Sequence, residues 1–466
     1  MSLPASVPDR VDVLVAGSGH GGLVAAAKLA RAGFDVVVLE RTRRASDVGW
    51  DWHDNVESRL LDLAGLPRPV PGELGPAPGF VLVSPDGRTS IKPATPPETC
   101  VERRPFARAL LERAADAGAL LVFGAKVTGP LVERGGVAGV RLAGGGEVRA
   151  GLVVDAAGAL SLVRSNLPPR YGVPRTLVRG QAFFAYRGFF DVDPGGGSGG
   201  EPDRFVVHLG YRHLRSRGIA WVAEFDDHVD VLVGQIDPLS LDDAHGVVAR
   251  LRADHPVLGR RLLRGGVIAP IPVRRAFPRF VGHGYAAVGD SAAMAVPFQG
   301  SGVGSALLAG NLLADRVTGA RSQGRDRVPP GDPFSRENLW RYQVDYVLER
   351  GATLAGLDAV KLFLLAASLS DLNFAFSAGL VGRDDVEASL AGAPVDLGFP
   401  ALLGKLVRGL WRPRLLLMLA CVLNLQREAT RHHLSVPRSH VDDAVERWVA
   451  RDRRLFRWLE APLAGD

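Results

Sequence analysis

The stretch VDVLVAGSGHGGLVAAAKLARAGFDVVVLE, residues 11–40, constrains the fold more than any other part of the chain. VDVLVAG at 11–17 predicts a short buried strand, GGLVAAAKLARAG at 21–33 a helix that stops at Gly33, and DVVVLE at 35–40 the next strand. In that order they make one βαβ unit, which needs a parallel sheet with a helix crossing over it. Gly17 permits the tight strand-to-helix turn, Gly19 lets the backbone approach a pyrophosphate, and Gly22 lets helix and strand pack. The helix N-terminus that follows favours negative charge. Glu40, eighteen residues beyond Gly22, ends the second strand where it can accept hydrogen bonds from ribose hydroxyls. An acidic strand end repels a 2′-phosphate, so the turn suits FAD or NAD better than NADP.

A second run of small residues, YAAVGDSAAMAVPFQGSGVG at 285–304, repeats the strand-then-glycine logic far downstream. A strand ending in Gly289-Asp290 would place the carboxylate on a sugar or ribityl hydroxyl, while Gly300, Gly302 and Gly304 let a helix end approach a flat ring. Close helix packing is the alternative use of such a run, and the two glycine stretches together favour one shared cofactor.

At 466 residues the chain has room for two or three domains, and 47% hydrophobic with 23% charged residues excludes disorder as its overall state. Its net charge of +6 is scattered, without a basic block or aromatic platform, so nucleic acid is not the expected partner. Two cysteines, Cys100 and Cys421, make neither a disulfide framework nor a metal cluster, and no metal site is expected. That cysteine usage and the lack of a signal-like N-terminus predict a cytoplasmic protein. The expected fold class is α/β: a Rossmann-like FAD-binding domain over 1–170 and 266–330, a β-sheet substrate domain over 171–265, and a helical C-terminal region over 331–466.

The order of the first glycine turn with Glu40, a central VVDAAGALSLVR and the late AAVGDSAAMAVPFQGSGVG resembles FAD-dependent oxidoreductases of the glutathione-reductase-like group. The geranylgeranyl-reductase and aromatic-hydroxylase branches are the nearest in pattern, over about residues 11–320. The resemblance implies that Asp290 holds the ribityl or ribose region, that Pro297 to Gly302 lie beside the isoalloxazine, and that Arg103 reaches the cofactor. It implies an apolar small-molecule substrate, isoprenoid or polyketide-like, reduced or dehydrogenated by hydride transfer through flavin N5. The electron donor could then be NADH or NADPH, a reduced flavin or a ferredoxin. GIAWVAEFDDHVDVLVGQI looks like the reductase-branch pattern, in which Trp221 would line the substrate cavity, although Glu224 stands where that branch has proline. Ala157-Gly158 replaces the Asp-Gly of the hydroxylases, which weakens the flavin monooxygenase alternative; a non-catalytic flavin-binding scaffold is a second alternative.

VGWDWHDNVESRLLDLAGL at 48–66 occupies the place where some reductases of this group carry Cys-Gly, and it has no Cys. Trp50, Asp51, Trp52, His53 and Asp54 would line the pocket there, with His53 as a proton donor near neutral pH. The alternative is that Asp54 or Asn55 caps the next helix and the tryptophans only pack. Finally, residues 402–433 mix apolar patches with Lys405, Arg408, Arg412 and Arg414, which fits a peripheral membrane contact, a cover over a greasy channel, or a helical subdomain with solvated Arg side chains.

Overall fold

The computed structural model describes residues 7–49, 51–94, 98–196, 205–326, 331–390, 399–440 and 442–464. The predicted βαβ unit is present as strand Arg10–Ala16, helix His20–Arg31 and strand Val36–Glu40, the two strands parallel with Val13 opposite Val36. The main sheet runs Val281–Gly282, Tyr285–Ala287, Glu147–Asp155, Arg10–Ala16, Val36–Glu40, Leu120–Phe123, with Val127–Glu133 and Gly136–Leu142 joined to Glu147–Asp155 as a meander. Its central strands are nearly continuous runs of Val, Leu and Ala because helices cover both faces and no side is left for water.

One of those helices is pressed unusually close. His20–Arg31 packs on Val303–Asp326, where a Cβ on Gly21 would stand 2.4 Å from the Ala306 carbonyl oxygen and one on Gly310 would stand 2.0 Å from that of Gly21. Any side chain at either position would push the helices apart. Lys28 Nζ fastens the same pair by donating to Asn311 Oδ1 and Asp315 Oδ1, each at 2.6 Å.

A second sheet of seven strands is ordered Leu258–Ile271, Phe183–Val192, Val229–Gln235, Gly218–Glu224, Phe205–Leu209, Val81–Val83, Ser90–Ile91. It extends past the predicted 171–265 block at both ends, since residues 81–91 add its edge strands and one strand continues to Ile271. The block also holds a helix, Leu241–Asp254, where only strands were expected. Ser240 caps it by accepting from the Asp243 N–H, and Asp242 and Asp243 place negative charge in its first turn. A third, small sheet pairs His53–Glu57 and Glu73–Pro76 with Glu98–Glu102. Residues 53–57 are therefore a strand and neither Asp54 nor Asn55 caps the next helix, whose preceding residue is Glu57.

Beyond 333 the chain is mainly helical, as expected, and these helices close on the sheets through a buried ionic cluster. Arg275, directly after the second sheet, reaches Asp358 at 2.8 Å, Asp452 at 2.9 Å and Glu460 at 2.8 Å, with the Phe456 ring 3.6 Å from its guanidinium carbon. Lys361 pairs with Asp358 at 2.9 Å, and His433 with Asp452 at 3.0 Å.

Candidate functional site

Three adjacent parallel strands end side by side, with Ala16 opposite Asp155 and Asp155 opposite Ala287. Gly17, Ala156 to Gly158 and Gly289-Asp290 follow those ends, so the two glycine stretches meet at the carboxyl edge of one sheet, where open α/β sheets bind ligands. Gly17 has φ +86°, which L-residues with a side chain rarely adopt, and a Cβ on Gly19 or Gly22 would strike Ala156, at 2.8 Å from its carbonyl oxygen or 2.5 Å from its Cβ. The helix that begins at His20 has no side-chain cap and no acidic residue in its first turn. Its first N–H groups are thus left for an anion, as a dinucleotide pyrophosphate requires.

Glu40 is buried and turns back to the turn: its carboxylate accepts from Ser18 N at 3.0 Å, Ser18 Oγ at 2.5 Å and Thr42 N at 2.8 Å. About one of its four acceptor sites stays open. Asp290, by contrast, has no hydrogen bond or ion pair to its carboxylate among the described residues, and burial raises its pKa against the opposing charge of Arg103. An acceptor left without a partner fits a hydroxyl-bearing ligand beside it. A Cβ on Gly302 would lie 3.2 Å from Asp290 Oδ1, so that glycine leaves the carboxylate its room. These observations fit FAD or NAD without rearrangement.

Asp155 is the joint between the two motifs and was not singled out from the sequence. Fully buried, it accepts from Ser161 Oγ at 2.5 Å, Ser291 Oγ at 3.0 Å, Tyr285 OH at 3.1 Å and Ala157 N at 3.2 Å. Asp155→Ala would strand these donors, so a stability loss of about 2–4 kcal/mol is expected in urea unfolding, together with weakened cofactor binding. A loss under about 1 kcal/mol would mean that the donors find other partners.

Next to this crevice lies a cavity of about 210 Å³. One wall is the second sheet, where strand alternation aims Ala185, Ile219, Trp221, Ala223, Val207 and Leu232 inward. Pro297, Phe298, Gln299, Gly300 and Ser301 line it from the late glycine stretch, and Leu364, Leu365, Leu369 and Leu372 from the C-terminal helices. Ser301 Oγ ties that stretch to the third sheet by donating to the Asn55 carbonyl at 3.1 Å. The walls are therefore mostly apolar from the late glycine stretch to the helical region.

Arg103 begins the helix Arg103–Asp116, lines the cavity, and is gripped by both oxygens of Asp54 with its guanidinium 5.1 Å from the Trp52 ring. Arg187 and Asp230 form a buried ion pair at 2.6 Å in the sheet wall, and Arg187 also donates to the His53 carbonyl at 2.6 Å. The Trp52 and Trp221 rings lie 5.6 and 5.3 Å from the Arg187 guanidinium, and neither indole N–H has a hydrogen-bond partner among the described residues. Asp51 pairs with Arg104 and stands outside the cavity lining, and Trp50 lies outside the described residues.

His53 also lines the cavity, packed against Phe189, Phe225 and His228. Its Nε2 lies 3.0 Å from Arg264 Nη2 and 3.4 Å from Glu102 Oε1. Burial lowers His53 to about 4, helped by Arg187 and Arg264 against Asp230. The expected acid titrating near neutrality is therefore corrected: the imidazole is neutral at pH 7 because it is dehydrated among aromatic rings and guanidinium groups. Glu98 shifts the other way. Burial, then the charge of Glu57, pushes its carboxyl up to about 7 against Arg350. Glu98 lines the cavity too and went unnoticed in the sequence, because nothing local marks it.

The model of a family described as an FAD binding domain matches residues 10–184. The digeranylgeranylglycerophospholipid reductase of Sulfolobus acidocaldarius is 25% identical over 447 residues, covering 92% of this chain and 94% of that protein. Among solved structures, a geranylgeranyl bacteriochlorophyll reductase-like protein from Thermoplasma acidophilum superposes with a TM-score of 0.67 at 20% identity, over 89% of this chain and 99% of the other. The flavin-dependent brominase Bmp2 shares the fold at a TM-score of 0.56 and 17% identity, over 87% of this chain and 100% of its own. The uncapped helix end, the open Asp290 carboxylate and these likenesses lead to one conclusion: the chain is an FAD-binding enzyme related to the digeranylgeranylglycerophospholipid reductases, with a fold shared by flavin-dependent halogenases.

Proposed function

We propose that this enzyme is a reductase that saturates an apolar, isoprenoid-like small molecule with FAD as its resident cofactor. The observation that carries the reading is the long apolar cavity that begins at the Pro297–Ser301 stretch and continues to Leu364, Leu365 and Leu372. A chain-like hydrocarbon buries its surface there at roughly 25 cal/mol per Å², and a polar substrate would leave most of its groups without partners. The relationship to lipid reductases along nearly the whole chain supports the same substrate class.

Bound FAD supplies a hydride from N5 of its reduced ring. In this reading the Gly17–Gly22 turn holds the pyrophosphate, Glu40 a ribose hydroxyl, and Asp290 a ribityl or ribose hydroxyl. Pro297, Gly300 and Gly302 flank the ring, and Arg103, neutralised by Asp54, reaches it without adding net charge to the site. Trp221 and Trp52 hold the substrate against the sheet, and neutral His53 closes the wall without charging it. Water is kept out by the leucines of the C-terminal helices.

The test is anaerobic. Purified protein loaded with FAD is reduced by NADH, NADPH or dithionite and mixed with a digeranylgeranyl lipid. Reoxidation of the flavin with loss of double bonds supports the reading and identifies the donor. Reoxidation only when air is admitted, with an oxygenated or unchanged lipid, would move the assignment to a monooxygenase. A flavin that no donor reduces would favour the scaffold alternative.

Contact with a lipid surface is part of the same proposal. No single helix among the described residues is long and apolar enough to cross a membrane. The helices Phe399–Gly409 and Pro413–Leu434 nevertheless expose Leu403, Leu406 and Val407, with Leu410 at 68% and Trp411 at 88%. Arg408 and Arg414 are exposed beside them. This combination suits the headgroup region of an anionic membrane. The wild-type protein is expected to float with anionic phospholipid vesicles, and Trp411→Ser with Leu410→Ser to bind about tenfold less; equal flotation would remove the membrane contact from the proposal.

A further inference from the structure

We propose that Glu98 is the proton donor of this cavity: an alkene held there takes a hydride from reduced FAD at one carbon and the carboxyl proton of Glu98 at the other. The inference rests on the reductase reading above. Two C–H bonds form and the π bond breaks, reduced FAD gives up two electrons, and Glu98 is left as a carboxylate that water reprotonates.

The geometry behind it is a pair of carboxyls in unlike surroundings. Glu57 and Glu98 stand directly opposite one another in the antiparallel register of His53–Glu57 and Glu98–Glu102, so both side chains share a face. Glu57 is held by Arg350, on the π-helical turn Val347–Gly351, and by Arg59 at 2.9 Å, which keep its carboxyl below the usual range despite burial. The Glu98 carboxyl has neither a hydrogen bond nor an ion pair among the described residues. The charges acting on it are those of Glu57 and Arg350, and the first outweighs the second. One carboxyl of the pair is therefore ionised and the other keeps its proton near neutrality, the separation that marks an acid among paired carboxyls.

The other candidates in the cavity are spent. His53 is neutral, as described above. Asp54 and Asp230 are tied up in ion pairs with Arg103 and Arg187. Lys361 is held by Asp358 and the Gly180 carbonyl. Cys100 lies on the same strand face as Glu98, but burial pushes its thiol to about 12, too weak an acid to compete. Glu98 alone among these carries a proton it can release near pH 7.

Two readouts test the assignment on FAD-loaded protein. In the anaerobic assay with a geranylgeranyl lipid, Glu98→Gln is expected to slow flavin reoxidation about 10²-fold or more with FAD affinity and lipid KM unchanged, and Glu98→Asp to recover part of the rate. Separately, the native state binds the Glu98 proton between its unfolded value near 4.5 and about 7, so this group's contribution to stability is lost as pH rises through that window. Glu98→Gln should remove that component from the pH dependence of thermal unfolding, and Glu57→Gln should only shrink it, because burial of Glu98 remains when the neighbouring charge is gone. Wild-type turnover that Glu98→Gln retains within about threefold overturns the proposal and leaves the reductase reading standing, as do superimposable pH–stability curves. Wild-type protein that reduces no geranylgeranyl lipid overturns both.

Discussion

Arg275→Ala is expected to lower the free energy of unfolding by about 3–5 kcal/mol, the largest effect of any single substitution considered for this protein. The guanidinium sits among three carboxylates, and its own side chain and those of Asp358 and Asp452 are almost wholly buried. Removing it leaves two buried anions facing one another, with Lys361 able to answer only Asp358 and His433 only Asp452. The charges cannot simply rehydrate, because Phe456 and the surrounding helices fill the space. Burial alone would raise Asp452, yet Arg275 and His433 hold it far below the usual carboxylate range, so the stabilisation from its ionisation is present above pH 4 and disappears only at strongly acid pH. Urea unfolding at pH 7 measures the loss. Combining Arg275→Met with Asp452→Leu should cost less than Arg275→Ala alone, since only the part-exposed Glu460 then loses its partner outright. If the single variant loses under about 1 kcal/mol, water already enters the cluster.

The second large effect is acid lability in a defined window. Burial lowers His20, His53, His208 and His432 from 6.5 to about 4. An unfolded chain takes up these protons as pH falls below 6.5, whereas the native protein refuses them until about 4. Their stabilisation is thus complete above pH 6.5 and is lost as pH falls toward 4. Glu98 works against this trend, but it is one group against four. The net expectation is a loss of several kcal/mol between pH 6.5 and 4.5, read as a fall in Tm well before ordinary carboxylates protonate. His53→Asn should flatten its share of that slope, and an unchanged Tm across the window would show that these rings are hydrated.

What the amino-acid order revealed follows from how far apart the interacting parts lie. The turn at Gly17–Gly22, Glu40 at its strand end and Asp290 after Gly289 were legible because strand, glycine and helix signals are local, and all of these residues lie along one sheet edge. The helix Leu241–Asp254 was also locally marked, by Ser240 three residues before Asp243, but the neighbouring β-rich runs drew the whole block into a sheet. Glu98 was hidden for a different reason. Its partner Glu57 lies across an antiparallel register, and its upward shift comes from burial that only the folded chain creates, with Arg350 opposing it from the distant helical region. Arg275 likewise looked like one of many scattered arginines, a pattern that composition bias alone explains. The strand at 53–57 was missed because pairing with 98–102, not local propensity, holds it extended.

The contact of Gly21 with Ala306 and Gly310 bears on how the chain is made. Helix His20–Arg31 is made before the second sheet, but the helix it must touch backbone to backbone follows that entire sheet. During synthesis the Gly17–Gly22 turn is therefore exposed, with only half of its crevice, until the Asp290 segment and helix Val303–Asp326 have been translated. Loop closure over so long a span is slow, and premature pairing of the open sheet edge at Glu147–Asp155 competes with the arrival of Tyr285–Ala287. A nascent chain halted before that strand would carry the glycine signature and still lack the surface on which the first helix has to settle.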